Sequence, residues 1–159
     1  MQRHLGSGFG VFEPAEHGPG LPAAYLYRRR QLHAAQVTAY FHWNQELSRV
    51  DLPNGETIRV GYNLVLWNQG PATARDVHVA VRTPSGDAVE LAALEADEFP
   101  LRRLDAGGRY PIQFAPVSAD FRSGDRRPVA RRFDVLLAWA DGNGKHEHVV
   151  PLRRGQARI

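Results

Sequence analysis

The stretch TIRVGYNLVLWNQGPATARDVHVAV, residues 57–81, predicts two β-strands joined by a turn. The alternation of apolar and polar residues that marks these strands stops at residues 68–71, where glycine adopts turn conformations and proline ends strand pairing. It resumes at Val77, Val79 and Val81. Two amphipathic strands this close in the chain need another sheet to cover their shared apolar face. In the first half, alternate positions carry large apolar side chains that point to one face of an extended chain: Ile58, Val60, Tyr62, Leu64 and Leu66.

The same alternation predicts strands on both sides of this stretch. It recurs in residues 37–44, 110–114 and 133–139, and residues 141–144 then supply a tight turn into a last strand over residues 146–152. Helical segments do not alternate with these strands, so a parallel α/β sheet is not predicted. We expect an all-β fold: an immunoglobulin-like antiparallel two-sheet sandwich of about seven strands, preceded by one N-terminal helix.

The chain of 159 residues has the length of about one domain. Residues 21–36 predict a helix, because Pro22 suits a first helical position and Ala, Leu, Arg and Gln favour helices. The glycine-rich residues 1–20 predict an irregular N-terminal arm. The sandwich is expected over residues 37–153, with residues 154–159 as a C-terminal tail.

The composition excludes several kinds of protein. There is no cysteine, which removes disulfides, thiolate metal ligands and a cysteine nucleophile. The net charge is +3, but Lys145 is the only lysine among 20 basic residues, and this bias indicates GC-rich coding rather than selection for phosphate contacts. We therefore predict no nucleic-acid partner. No apolar run has the length of a signal peptide or of a membrane span of roughly 20 residues, which predicts a cytoplasmic protein.

Residues 68–79, NQGPATARDVHV, resemble the Asn-x-Gly-x-x-x-Ala-x-x-Val-x-Val pattern of CARDB-type and related bacterial immunoglobulin-like repeat domains. Residues 104–108, LDAGG, resemble the leucine-to-glycine step that these domains often carry before their fifth strand. The resemblance covers residues 57–153 and implies an immunoglobulin-like sandwich. It also implies a non-catalytic adhesion, spacer or accessory module, a kind of domain common in extracytoplasmic proteins.

The residues of this motif have structural roles that follow from their chemistry. Asn68 can bind neighbouring backbone groups, and Gly70 can supply unusual backbone dihedrals. Ala74 keeps a small side chain where the chain re-enters the sheet. None of the three is therefore predicted to form a binding site.

The sequence holds no recognisable catalytic constellation. No serine lies in a Gly-x-Ser-x-Gly elbow, no pair of catalytic carboxylates is identifiable, and Gly6, Gly8 and Gly10 lack the preceding strand of a phosphate-binding loop. We therefore predict that the protein is not an enzyme and carries no cofactor.

The leading interpretation is a non-enzymatic protein-interaction or accessory module, which binds an unknown protein partner by an edge strand or a loop end. The biological process in which the protein acts and its oligomeric state are not predicted. The competing interpretation of the candidate contact residues is ordinary surface or second-sheet packing. The candidates are two aromatic residues expected to be exposed and an arginine-rich segment: Tyr40, Trp67, Arg126, Arg127, Arg131 and Arg132.

A second interpretation is a metal- or ligand-binding protein that uses His146 and His148. These residues are two apart on a predicted strand, so both side chains project to one face. With His42 or His78 from another strand they could form a three-imidazole zinc site. The alternative is that both are solvent-facing residues of the last strand.

A third interpretation is a membrane-surface accessory domain at the inner face of the membrane. Arg28, Arg29 and Arg30 on the predicted helix would contact anionic lipids. The alternative is that these arginines form a solvated face of the helix.

Overall fold

The computed structural model describes residues 21–94, 97–121 and 132–153. Over these residues the chain forms one N-terminal helix and seven strands, and the strands pair antiparallel in two sheets. The all-β two-sheet sandwich is therefore confirmed. The elements are α1 (Leu21–Leu32), β1 (Val37–Asp51), β2 (Thr57–Asn68), β3 (Ala74–Arg82), β4 (Leu101–Leu104), β5 (Arg109–Gln113), β6 (Arg132–Asp141) and β7 (Gly144–Arg153).

The first sheet has the strand order β1-β2-β5, and the second has the order β4-β3-β6-β7. In immunoglobulin domains of the constant type, the fourth strand lies in the sheet of the first, second and fifth strands. Here β4 lies in the other sheet, where Leu104 and Leu101 pair with Ala74 and Val77 of β3. The second sheet consequently has four strands and ends at β7.

Three phenylalanine rings join the two sheets in the centre of the core. Phe41 of β1 lies 4.9 Å from Phe114, which follows β5, and Phe114 lies 5.0 Å from Phe133 of β6, measured between ring centroids. Both contacts are edge-to-face, the arrangement that aromatic pairs prefer. The predicted inward residues of β2 and β3 from Tyr62 onward lie in or against the cluster of these rings, whereas Ile58 and Val60 lie in or against a smaller cluster with Leu52 and Ala115. The alternation of apolar residues thus did identify the core faces.

Asn68, at the end of β2, is fully buried and binds the backbone of several segments at once. Its Oδ1 accepts hydrogen bonds from the backbone N–H groups of Gln36 and Gly70, both at 3.1 Å. Its Nδ2 donates to the carbonyl oxygens of Ala72 at 2.7 Å and Leu104 at 3.0 Å. One amide therefore holds together the start of β1, the turn into β3 and the end of β4.

Gly70 is required for a different reason from the one predicted. It does not have a positive φ. Instead, a Cβ at this position would lie 2.5 Å from the Ala34 carbonyl oxygen and 2.6 Å from the Gln36 nitrogen. The backbone of the link between α1 and β1 thus lies directly against the turn, and only glycine fits there.

Helix α1 ends at Leu32, earlier than the predicted residue 36. The N–H of Ala35 donates to Oδ2 of Asp141 at 2.8 Å, and the N–H of Gln36 donates to Asn68. Because the sandwich takes these donors, they cannot continue the helical hydrogen-bond pattern. No helix within the described residues is long and apolar enough to cross a membrane.

We predict that Asn68→Ala lowers the free energy of unfolding by about 3–5 kcal/mol, because it leaves several buried backbone groups without partners. Urea denaturation at neutral pH measures the difference. The control is Asn54→Ala in an exposed turn, where the side chain accepts one bond from the Glu56 N–H at 3.0 Å. We expect the control to lose about 0.5–1.5 kcal/mol. Equal losses in the two variants would contradict the role given to Asn68.

Candidate functional site

Tyr40 and Trp67 lie side by side on the outer face of the first sheet. Their ring centroids are 6.2 Å apart, with an interplanar angle of 81°. The guanidinium carbon of Arg109 lies 4.8 Å from the centroid of the Trp67 ring, a cation–π contact. Both aromatic residues are half-buried rather than exposed as predicted, because the two rings pack against each other and Arg109 lies over Trp67. The packing interpretation accounts for these contacts, and no sequence pattern indicated that Arg109 would join them.

The arginine-rich segment contributes one described residue. Arg132 is exposed at the start of β6 and pairs with Arg153 of β7. The other three candidate contact residues, Arg126, Arg127 and Arg131, lie outside the described residues, as do residues 1–20 and 154–159.

His146 and His148 lie on the face of β7 that is turned toward the first sheet, so they share one face as predicted. They pair with the core residues Trp139 and Leu137 of β6. The imidazole of His146 stacks on Trp139, with centroids 5.5 Å apart and an angle of 26° between the rings. Its Nε2 lies 2.8 Å from Oδ1 of Asp141. His146 is therefore held by its own hairpin, whereas His148 is exposed.

Neither of the predicted third zinc ligands joins this pair. His42 pairs with Asn63 on the outer face of the first sheet, and His78 pairs with Ala138 on the outer face of the second. Among the described residues, no three His, Cys, Asp or Glu side chains come close enough together to hold a metal ion. The three-imidazole arrangement is thus not formed, because the strands carrying His42 and His78 turn these side chains away from the space between the sheets.

Asp141 ties the β6–β7 hairpin to the start of β1. Its buried carboxylate accepts hydrogen bonds from the N–H of Ala35 at 2.8 Å and the N–H of Asn143 at 2.7 Å, besides its contact with His146. Burial by itself raises the pKa of a carboxyl. Here the hydrogen bonds from Ala35, His146 and Asn143 together outweigh burial and hold the pKa of Asp141 below its ordinary value. The sequence indicated Asp141 only as a turn residue.

Four strands lie at the edges of the two sheets, and three of them are irregular or short, which hinders further strand pairing. The register of β1 shifts between Trp43 and Ser48. Strand β4 has only four residues, and β5 has five and contains Pro111. In contrast, β7 pairs with β6 in an unbroken register over ten residues. It is therefore the longest regular edge, although Lys145 and Pro151 also hinder pairing there and residues 36–38 line a cleft with residues 146–148.

The free backbone groups of β7 can be identified from Pro151, which pairs with Asp134. Proline has no N–H and fits a regular strand where its nitrogen faces away from the neighbouring strand. Because backbone groups alternate in direction along an antiparallel strand, Lys145, Glu147 and Val149 have the same orientation as Pro151. Their N–H and C=O groups point away from β6, and no described strand pairs with them.

The side chains beside this free edge are exposed on the outer face of the second sheet. Val149 has an exposed fraction of 54% and lies in one cross-strand row with Leu136 and Ala80. Lys145 and Glu147 lie on the same face, on the hairpin side of the row, and have no ion-pair or hydrogen-bond partner within the described residues. An added strand would thus meet both free hydrogen-bonding groups and apolar side chains.

Helix α1 makes few contacts with the sandwich. Nδ2 of Asn143 donates to the carbonyl oxygen of Arg30 at 2.8 Å, and His33 lies against Gly142. The three arginines are exposed, and the helix contains no acidic residue. Four large apolar side chains on the same helix are also exposed: Tyr25, Leu26, Tyr27 and Leu32.

No protein-family model, no curated protein and no solved structure matches this chain significantly. The resemblance of residues 68–79 to CARDB-type domains therefore stays a prediction.

We predict that Asp141→Asn destabilises the protein at pH 7, by about 1–3 kcal/mol, because it weakens charge-assisted hydrogen bonds. The pKa of Asp141 is lowered in the folded state, so its contribution is complete above the unfolded pKa of about 3.9 and is lost as the pH falls through the folded pKa. The difference between variant and wild type should consequently shrink toward pH 3.

Urea unfolding of both proteins at pH 7 and near pH 3 measures this change. Asp120→Asn is the matched control, since it removes the charge of an exposed aspartate. A destabilisation by Asp141→Asn that is the same at both pH values would contradict the assignment.

Proposed function

We propose that this protein is a non-enzymatic interaction module that binds an extended segment of another protein chain along the free edge of β7. The observation that carries this proposal is the unpaired row of N–H and C=O groups at Lys145, Glu147 and Val149. In strand addition of this kind, main-chain hydrogen bonds supply affinity, and pockets for alternate side chains supply specificity.

The surroundings of β7 favour it over the other candidate contact residues. Tyr40 and Trp67 already pack against each other and Arg109, whereas the groups along β7 have no such partner among the described residues. On the outer face, an incoming side chain would lie beside Val149 and the neighbouring apolar row. On the opposite face it would lie beside His148, where a hydrogen-bonding side chain is favoured.

We predict that Val149→Pro weakens strand binding at least about tenfold, which corresponds to ~1.4 kcal/mol. The substitution removes an N–H that points away from β6, so the β6–β7 ladder keeps its hydrogen bonds. Ten-residue peptides are selected from a display library on the wild-type protein, and their dissociation constants are measured by calorimetry on both proteins.

The matched control is Val149→Ala, which shortens the side chain but keeps the N–H. Hydrogen exchange should also show protection of the Lys145, Glu147 and Val149 amides when peptide is bound. The β7 edge would be excluded as the binding site if peptides bound Val149→Pro as tightly as wild type. It would also be excluded if they protected amides of β1 and β2, which carry Tyr40 and Trp67, instead.

A second candidate function is contact with an anionic membrane surface through α1. The observation that favours it is the joint exposure of apolar side chains and of Arg28, Arg29 and Arg30 on a helix without acidic residues. Tyrosine and arginine are suited to the headgroup region, and each basic residue near an anionic surface contributes about 1 kcal/mol.

We expect the protein to sediment with vesicles that contain phosphatidylserine, and not with vesicles of phosphatidylcholine alone. Binding should fall as salt is added, because salt screens exposed charges. It should also fall when Arg28, Arg29 and Arg30 are replaced together by Gln.

The control replaces an equal number of exposed arginines on the sandwich, Arg59, Arg75 and Arg82, by Gln. This variant has the same net charge as the helix variant. If it loses vesicle binding to the same extent, the effect comes from net charge and the role of α1 is wrong.

A further inference from the structure

We infer that the strand which occupies the β7 edge is β7 of a second copy of this chain, paired antiparallel about a two-fold axis. The inference rests on the proposed function, since it uses the same free edge. A two-fold interface brings the same surface of both copies together and therefore needs a self-complementary strand. The backbone N–H and C=O groups of β7 that point away from β6 must lie opposite the same kind of groups in the second copy. Only a small number of registers meets this condition.

Several registers place like charges directly opposite each other, which is destabilising. A pairing centred on Glu147 places the two Glu147 side chains together. A pairing centred on Lys145 does the same with lysine. A pairing centred on Val149 brings Lys145 opposite Arg153. Electrostatic repulsion thus disfavours all three.

Other registers place Pro151 in the paired stretch. A pairing centred on His148 brings Pro151 opposite Lys145, and one centred on Val150 brings it opposite Val149. In both, the missing N–H of proline leaves a carbonyl of the second strand without its donor. These registers therefore form an incomplete ladder.

The register centred on His146 avoids both difficulties. Lys145 of each copy lies opposite Glu147 of the other, so two ion pairs form on the outer face, and proline stays outside the paired stretch. Each Lys145–Glu147 pair exchanges both backbone hydrogen bonds. The two His146 side chains lie near the axis, and each keeps its contact with Oδ1 of its own Asp141.

The dimer joins the two larger sheets into one, with the strand order β4-β3-β6-β7-β7-β6-β3-β4. Opposite charges at facing positions select this register, because Lys145 and Glu147 are exposed and have no ion-pair partner within the described part of the single chain. A second copy and a partner strand then compete for the same edge.

Charge exchange tests the register. The variants Lys145→Glu and Glu147→Lys each place like charges at the facing positions, so each should dimerise at least about tenfold more weakly than wild type. The double variant restores opposite charges and should dimerise like wild type. Mixing the two single variants should give a mixed dimer, because the two acidic side chains of one variant would face the two basic side chains of the other. Sedimentation velocity over a range of concentrations measures each equilibrium.

Cross-linking provides an independent readout. Lys145 is the only lysine of the chain, so a carbodiimide should form an amide between its Nζ and the Glu147 carboxylate of the second copy, with loss of water. Because Lys145 and Glu147 of one chain could also be joined, the cross-linked dimer is first separated from monomer on a denaturing gel, and mass spectrometry then identifies the joined peptides. In Lys145→Arg the charge and the dimer should remain, whereas this cross-link should be absent.

A wild-type protein that stays monomeric at the highest accessible concentration overturns the inference. If the selected peptides still depend on Val149 in that case, the edge binds partners but not a second copy, and the proposed function stands. A dimer that is unaffected by both single charge reversals uses another surface, which also overturns the inference.

Discussion

The buried side-chain amide of Asn68 is the constraint on which the arrangement of the two sheets depends. A buried polar group is costly unless it is hydrogen-bonded, and this amide has backbone partners on both its oxygen and its nitrogen. The partners lie before β1, in the turn after β2 and at the end of β4. Because β2 belongs to one sheet and β3 to the other, Asn68 lies where the chain crosses between them. The positions of all these segments are thereby fixed together.

Asp141 is a second buried polar side chain that binds the backbone of the link between α1 and β1. Ala35 donates to Asp141, while the next residue, Gln36, donates to Asn68. The two bonds hold the link against the sandwich and end the helix ahead of it. Helix α1 is consequently held beside the β6–β7 hairpin through Asn143, and its large apolar side chains do not reach the core. Its exposed surface is therefore a result of how the link is held.

Period-two alternation predicted the fold well, because the direction of successive side chains in a strand is a local property. It also predicted that His146 and His148 share a face. It could not predict that β4 pairs with β3, or that His42 and His78 face away from them, because these features depend on the order of strands within the sheets. Pro151 was a usable signal for the direction of the β7 backbone, but only once β7 was known to be an edge strand.

Charged residues on an edge strand, lysine above all, ordinarily prevent pairing with other chains. Lys145 alone would serve this purpose on β7. Glu147 changes the outcome, because it lies two residues away on the same face and has the opposite charge. In three registers of self-pairing like charges oppose association, and in two others Pro151 breaks the ladder, whereas in the register centred on His146 Lys145 and Glu147 attract. The two charged side chains therefore favour one pairing and, together with Pro151, disfavour the others, which is how charged residues usually determine specificity rather than affinity.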